Sequence, residues 1–172
     1  MNVKKVVVGL LETNCYILEK GKECLIIDPG DEPHKIEQQI NKTVKAIIVT
    51  HNHFDHVGGV SYFKEKYGVE VYDYDNLKEG INNISEFMFE VLYMPGHTVD
   101  SIVIYFKEEQ IMFVGDFIFY HTIGRTDLEG GNFVDMKKSI SRLKEYRDIT
   151  LYPGHGCKTT LEEERINNSY FR

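Results

Sequence analysis

Short apolar runs, many with polar residues on alternate positions, punctuate most of the chain. The stretches VKKVVVGLL (3–11) and NCYILEK (14–20) read as two strands, and ECLIIDPGD (23–31) as a third that runs into a Pro-Gly turn. In EPHKIEQQINK (32–42) Ile36 and Ile40 stand four apart on a polar background, which predicts a surface helix with Pro33 at its start. VKAIIVT (44–50) is almost wholly apolar, the pattern of a strand covered on both faces. Val60, Phe63 and Tyr67 then recur at helical spacing, and Gly68 closes that helix.

The second half repeats the theme. VEVYDY (69–74) alternates as a strand. EFMFEVLYMPGHT (86–98) is a strand into a turn, and residues 101–119 are two strands about a polar KEEQ turn. Phe133, Met136, Ile140 and Leu143 mark a helix over 132–148, and ITLYPGHG (149–156) is a strand into a second Pro-Gly turn. TLEEERINNSYF (160–171) reads as a final acidic helix, capped by Thr159 or Thr160 with Glu162 or Glu163 three residues on. Helices thus separate groups of strands, which predicts two mixed sheets covered by helices in one domain of 172 residues. The lysines and apolar stretch at the N-terminus superficially resemble a secretory leader, but Glu12, Asn14 and Cys15 break the run, so it is read as the first strand.

Composition narrows the function. The net charge of −7 speaks against nucleic acid and anionic membrane surfaces as partners. No apolar run approaches the roughly 20 residues that span a bilayer. The three cysteines, Cys15, Cys24 and Cys157, form no C-x-x-C pair, which points to reduced thiols and a cytoplasmic setting.

Candidate chemistry lies at strand ends. Strand 44–49 runs into Thr50, His51, His53, Asp55 and His56; others end in Pro95-Gly96-His97, in Gly115-Asp116 and in Pro153-Gly154-His155. Rigid scaffolds place active-site residues on such loops. Seven nitrogen and oxygen donors, His51, His53, Asp55, His56, His97, Asp116 and His155, exceed what one zinc takes and suit two ions sharing a bridging carboxylate. Without thiolates the set fits zinc, iron or manganese. His34 falls on a polar helix face and His121 in no ligand pattern.

The motifs THNHFDH, PGHT, GD and PGHG, in this order, resemble the metallo-β-lactamase superfamily over almost the whole chain. TIGRTDLEGG (122–131) and LYPGHGCKTTLEEERINN (151–168) are similar to its glyoxalase II-like hydrolases. The resemblance implies an α+β fold, a four-layer αββα sandwich with the metals at one edge of two mixed sheets. It implies that His51, His53 and His97 hold one ion, that Asp55, His56 and His155 hold the other, and that Asp116 bridges them. It places Asp28 as a structural support and Arg125 with Asp127 as a buttressing ion pair. Asp55 would also orient the attacking water. The expected activity is hydrolysis of a small-molecule acyl thioester; a mononuclear-iron persulfide dioxygenase, or a hydrolase of another ester or lactone, is the alternative. Only 172 − 155 = 17 residues follow His155, too few for the C-terminal helical domain of full glyoxalase II enzymes. HTVDS (97–101) also departs from the commoner HTPGS of the family.

Overall fold

A computed structural model describes residues 1–147 and 149–172. The described strands are β1 (Asn2–Val8), β2 (Thr13–Lys20), β3 (Glu23–Ile27), β4 (Thr43–Ile48), β5 (Glu70–Tyr72), β6 (Gly80–Ile84), β7 (Phe87–Tyr93), β8 (Ile102–Phe106), β9 (Ile111–Gly115), β10 (Ile118–Phe119), β11 (Thr122–Ile123), β12 (Thr150–Pro153) and β13 (Thr159–Thr160). The helices are α1 (Pro33–Glu37), α2 (Phe54–Val57), α3 (Val60–Tyr67), α4 (Phe133–Arg142) and α5 (Leu161–Asn167).

One sheet runs β1-β2-β3-β4-β5, the other β13-β12-β9-β8-β7-β6, and β10-β11 form a separate hairpin. Alternation along each strand explains the layering. On the first sheet Tyr16, Leu18, Leu25, Ile27, Ala46 and Ile48 face inward, against Phe89, Val91, Ile102, Ile104 and Phe113 of the second. The residues between them point outward. Ile17, Ile26, Ile47 and Val49 pack with Ile36 of α1 and Phe63 of α3, and Cys15 and Cys24 are part of this outer layer. Val103, Met112 and Leu151 pack with Met136 and Ile140 of α4 and Leu161 of α5. The result is the expected sandwich: two mixed sheets face to face with helices outside.

Some boundaries differ from the sequence pattern. Helix α1 ends at Glu37, and Gln39 and Ile40 continue in turns bonded three residues back, with Ile40 partly buried against the same cluster as Ile36. Strand β6 was not legible: its sequence, GINNI, is polar, and it is held at a sheet edge by pairing with β7. Phe133, read as part of the buried stripe of α4, is 43% exposed at the first turn. The predicted helix over 132–148 is α4 followed by a 3-10 turn, Leu143–Glu145; its last position, Asp148, lies outside the described residues. Thr160 caps α5, its side chain accepting from Glu163 N.

Candidate metal centre

All seven predicted donors meet at one edge of the sandwich. His51, His53, Asp55 and His56 follow β4 of the first sheet; His97, Asp116 and His155 follow β7, β9 and β12 of the second. The two sheets are tied there by backbone bonds: Ile102 N donates to Thr50 O and Asn14 N to Gly154 O. Three groups of donors converge, with one ligand atom per residue and all atoms of a group within 4.8 Å: His51, His53 and His97; His51, His56 and Asp116; Asp55, His56 and His155.

In the first group His53 Nδ1 lies 3.1 Å from His51 Nε2 and 2.9 Å from His97 Nε2. A tetrahedral ion bonded at 2.0–2.1 Å keeps its donors about 3.3 Å apart, so the three nitrogens already stand near such a face. Asp116 sits between the groups. Its Oδ2 is 3.5 Å from both His97 Nε2 and His155 Nε2, and its Oδ1 is 3.3 Å from His56 Nε2. His56 Nε2 and Asp116 Oδ1 are buried and have no hydrogen-bond partner. Buried polar atoms are seldom left unpaired, and two metal-ligand atoms orphaned side by side fit a cation.

The rings are aimed by what holds their far nitrogens. His97 Nδ1 pairs with Arg125 O at 2.7 Å, His155 Nδ1 with Leu11 O at 2.9 Å, and His56 Nδ1 with Asp28 Oδ2 at 3.0 Å. His51 Nδ1 lies 3.1 Å from Thr50 Oγ1, which itself donates to Asp28 Oδ2 at 2.7 Å. Thus Asp28, buried and at a left-handed φ of 50°, steadies one histidine of each set. His53 is turned the other way, with Nδ1 facing the cluster.

Burial and neighbouring charges pull the donors in different directions. Burial, and then the neighbouring imidazoles, hold His51 and His53 below the ordinary histidine value. Burial also opposes charge on His56 and His155, but the carboxylates of Asp28 and Asp116 push the first, and those of Asp116 and Asp55 the second, up to about 10. Burial favours protonation of Asp55 and Asp116, yet the nearby His155, with Thr13 donating to Asp55 and His56 close to Asp116, holds both well below the carboxylate range. Any divalent ion held by His56 and His155 would therefore compete with protons.

Arg125 and Asp127 do form the expected pair, with Nε to Oδ1 and Nη2 to Oδ2 each 2.9 Å, but both side chains are about two-thirds exposed. An ion pair that open to water braces little; what supports the centre at this position is the Arg125 carbonyl on His97. His34 is on the surface as expected, beside Tyr62 and Glu37. Asp100, within the HTVDS departure, accepts from Asn52 N and Nδ2 and so fastens the loop of His97 to that of His51.

Sequence reasoning missed Thr13 and Asn14. Thr13 Oγ1 donates to Asp55 Oδ2 at 2.8 Å, and Asn14 Nδ2 donates to the carbonyls of Pro153 and Gly156 around His155. Their signal was available: a polar pair opening a strand that is otherwise apolar to Leu18. Glycine is required at 154, where a Cβ would stand 2.2 Å from Asp116 Oδ1 and 2.7 Å from His56 Cε1. The cleft over the centre measures about 560 Å³ and is walled by Leu11, Phe54, Phe119, Arg125, Leu128 and Glu129 around the donors.

Comparison with known proteins agrees with this geometry. The family model described as "Metallo-beta-lactamase superfamily" matches residues 8–84 and 73–155. The hydroxyacylglutathione hydrolase GloC of Haemophilus influenzae is 30% identical, covering 99% of this chain and 98% of its own. The B3 metallo-beta-lactamase BLEG-1 superposes with a TM-score of 0.92 at 28% identity, covering 99% of both chains. TTHA1623, solved in a di-iron-bound form, gives 0.88 at 32% identity over 97% of this chain and 99% of its own. The chain belongs to the metallo-beta-lactamase superfamily, and its site is a candidate binuclear centre of a metal-dependent hydrolase.

Proposed function

We propose that this member of the metallo-beta-lactamase superfamily hydrolyses acyl thioesters of small molecules, in the cytoplasm, with two divalent ions. The observation that carries the reading is Asp116, equidistant from His97 of one donor set and His155 of the other. His51, His53 and His97 would hold one ion, Asp55, His56 and His155 the second, and Asp116 would bridge. Such a pair, when bound, supplies Lewis acidity and lowers the pKa of water toward neutrality.

The chain's own residues do the rest. Thr13 donates to Oδ2 of Asp55, the oxygen 3.3 Å from His155 Nε2, and so fixes the carboxylate that would help hold the second ion and orient an attacking water. Leu11, Phe54 and Phe119 give the cleft apolar surface against which the acyl part of a substrate can lie. Outside the donor set, the one acid among the described cleft residues is Glu129, exposed on the rim. A thiol of pKa about 8.5 leaves as thiolate without a proton donor, so the absence of a buried acid favours thioesters over oxygen esters. The likeness to a hydroxyacylglutathione hydrolase supports the same class. The free cysteines, two of them buried, support a reducing compartment. Zinc, iron and manganese all suit the donors, and the di-iron form of TTHA1623 supports iron as well as zinc.

The test is a panel of acyl thioesters, matched oxygen esters and β-lactams, assayed on metal-loaded protein. Thioester turnover at least about a hundredfold above the matched oxygen ester is expected, a gap of the size one proton-transfer catalyst supplies. Equal rates would remove the leaving-group argument. β-Lactam turnover above thioester turnover would instead point to a β-lactamase, a reading that the fit to BLEG-1 favours.

A further inference from the structure

Between Asp116 and Arg125 the chain makes an excursion that carries three parts of the site. It leaves β9 at Asp116, forms the β10-β11 hairpin, and returns to the Arg125 carbonyl that holds His97. On the way, the Phe119 ring meets the His155 ring edge-on at 6.0 Å and forms one wall of the cleft. Two hairpin strands of two residues each cannot hold such a position alone. The turn is strained as well, since His121 sits at a left-handed φ of 61°.

What fixes the turn comes from α5. Glu164 is fully buried. Its Oε2 accepts from His121 N at 2.9 Å and from Asn168 Nδ2 at 2.8 Å, and its Oε1 from Thr159 Oγ1 at 2.6 Å. Asn168, also fully buried, donates from the same Nδ2 to Thr122 O at 2.9 Å. The two side chains thus grip His121 of the turn and Thr122, where β11 begins. A carboxylate buried in a helix of the outer layer is costly unless its environment is built for it, and among the described residues three neutral donors and no cation face this one.

We infer that Glu164, with Asn168, is a positioning residue of the active centre: through the His121–Thr122 bend it sets Phe119 against His155 and the Arg125 carbonyl against His97. This rests on the thioesterase reading for its kinetic readout alone. Deleting the carboxylate frees the bend, so the apolar wall and the His97 anchor drift. A displacement of about 1 Å at a reacting centre costs up to about a hundredfold.

The experiment compares E164A, E164Q and T159V in the metal-loaded protein, well below their melting temperatures. It reads amide hydrogen exchange over residues 118–124 together with kcat and KM for a thioester. Gln keeps an oxygen for His121 N and Asn168, and its amide can donate to Thr159, whose hydroxyl also accepts. The expected result is exchange at least about tenfold faster and KM raised about tenfold in E164A, with E164Q near wild type. T159V, which touches Oε1 alone, should melt earlier with its KM unchanged. Wild-type KM and hairpin exchange in a folded E164A would overturn the proposal, leaving Glu164 a plain structural brace. A KM shift in T159V as large as in E164A would overturn it too, since the effect would then run through α5 as a whole. Should E164A fail to fold, N168A carries the same expectations. If the wild-type protein cleaves no thioester, the exchange data still decide the positioning claim.

Discussion

At the scale of single residues, the centre is set by groups with no freedom to be anything else. Gly154 is one: an alanine there would push its Cβ into Asp116 Oδ1 and His56 Cε1. Gly154→Ala is expected to keep the fold and to lose about a hundredfold in kcat/KM, read alongside metal content. Asp28 is another, because it accepts from Thr50 N, Thr50 Oγ1 and His56 Nδ1. Asp28→Asn should weaken metal affinity about 10- to 100-fold in competition with a chelator; an unchanged affinity would show that ring aiming matters little here. The seven donors were legible in the sequence because each stands just past an apolar strand, where a bare polar residue is conspicuous. Glu164 and Asn168 were not picked out, being read as part of an acidic surface helix. Yet Leu161, Glu164 and Asn168 are spaced three and four apart and share the buried face. The signal was a polar residue on a core stripe, masked by Glu162 and Glu163 beside it.

At the scale of elements, strands with full alternation were readable and short ones were not. β2, β3 and β8 sort their residues cleanly between the inner core and the outer layers. β10, β11 and β13 are two residues long and exist through tertiary bonds, which no local period can reveal. Helix α4 owes its start to Asn132, whose side chain accepts from Val134 N and Asp135 N. Asn132→Ala should cost about 1 kcal/mol in denaturant unfolding. Between α1 and α3, Lys66 and then Tyr62 draw the Glu37 carboxyl down to about 2. The sign follows from linkage. A carboxylate lowered in the folded state contributes stability above its unfolded value, near 4.5, and loses it as pH falls toward 2. The stability gap between wild type and Glu37→Gln should therefore shrink between about pH 5 and pH 2, and shrink in salt, since the pair is open to solvent. A gap independent of pH would assign it to packing instead.

At the scale of the whole molecule, the sandwich brings donors from two sheets to one edge, so any ion bound there fastens the sheets together. A ligand held at a thousand times its dissociation constant adds about 4 kcal/mol. For a chain of this size that is about 8–16 °C in melting temperature. Chelation is expected to lower the melting temperature by that order. The same binding must expel protons from His56 and His155, which are held up to about 10 by their carboxylates; metal affinity should fall as pH is lowered. That the donors lie on loops past strand ends was legible from the residues, while the layer order and the edge location came from the family resemblance. Which sheet each donor belongs to was not, because sheet membership is decided by pairings such as β9 with β12 across many residues.

The central claim is that two ions, bridged by Asp116, form one hydrolytic centre. Its most direct test is a titration of chelator-stripped protein with zinc, iron(II) or manganese while thioester hydrolysis is followed. The rate is expected to climb to a break at two equivalents per chain. A break at one equivalent, or no hydrolysis at any loading, would contradict it.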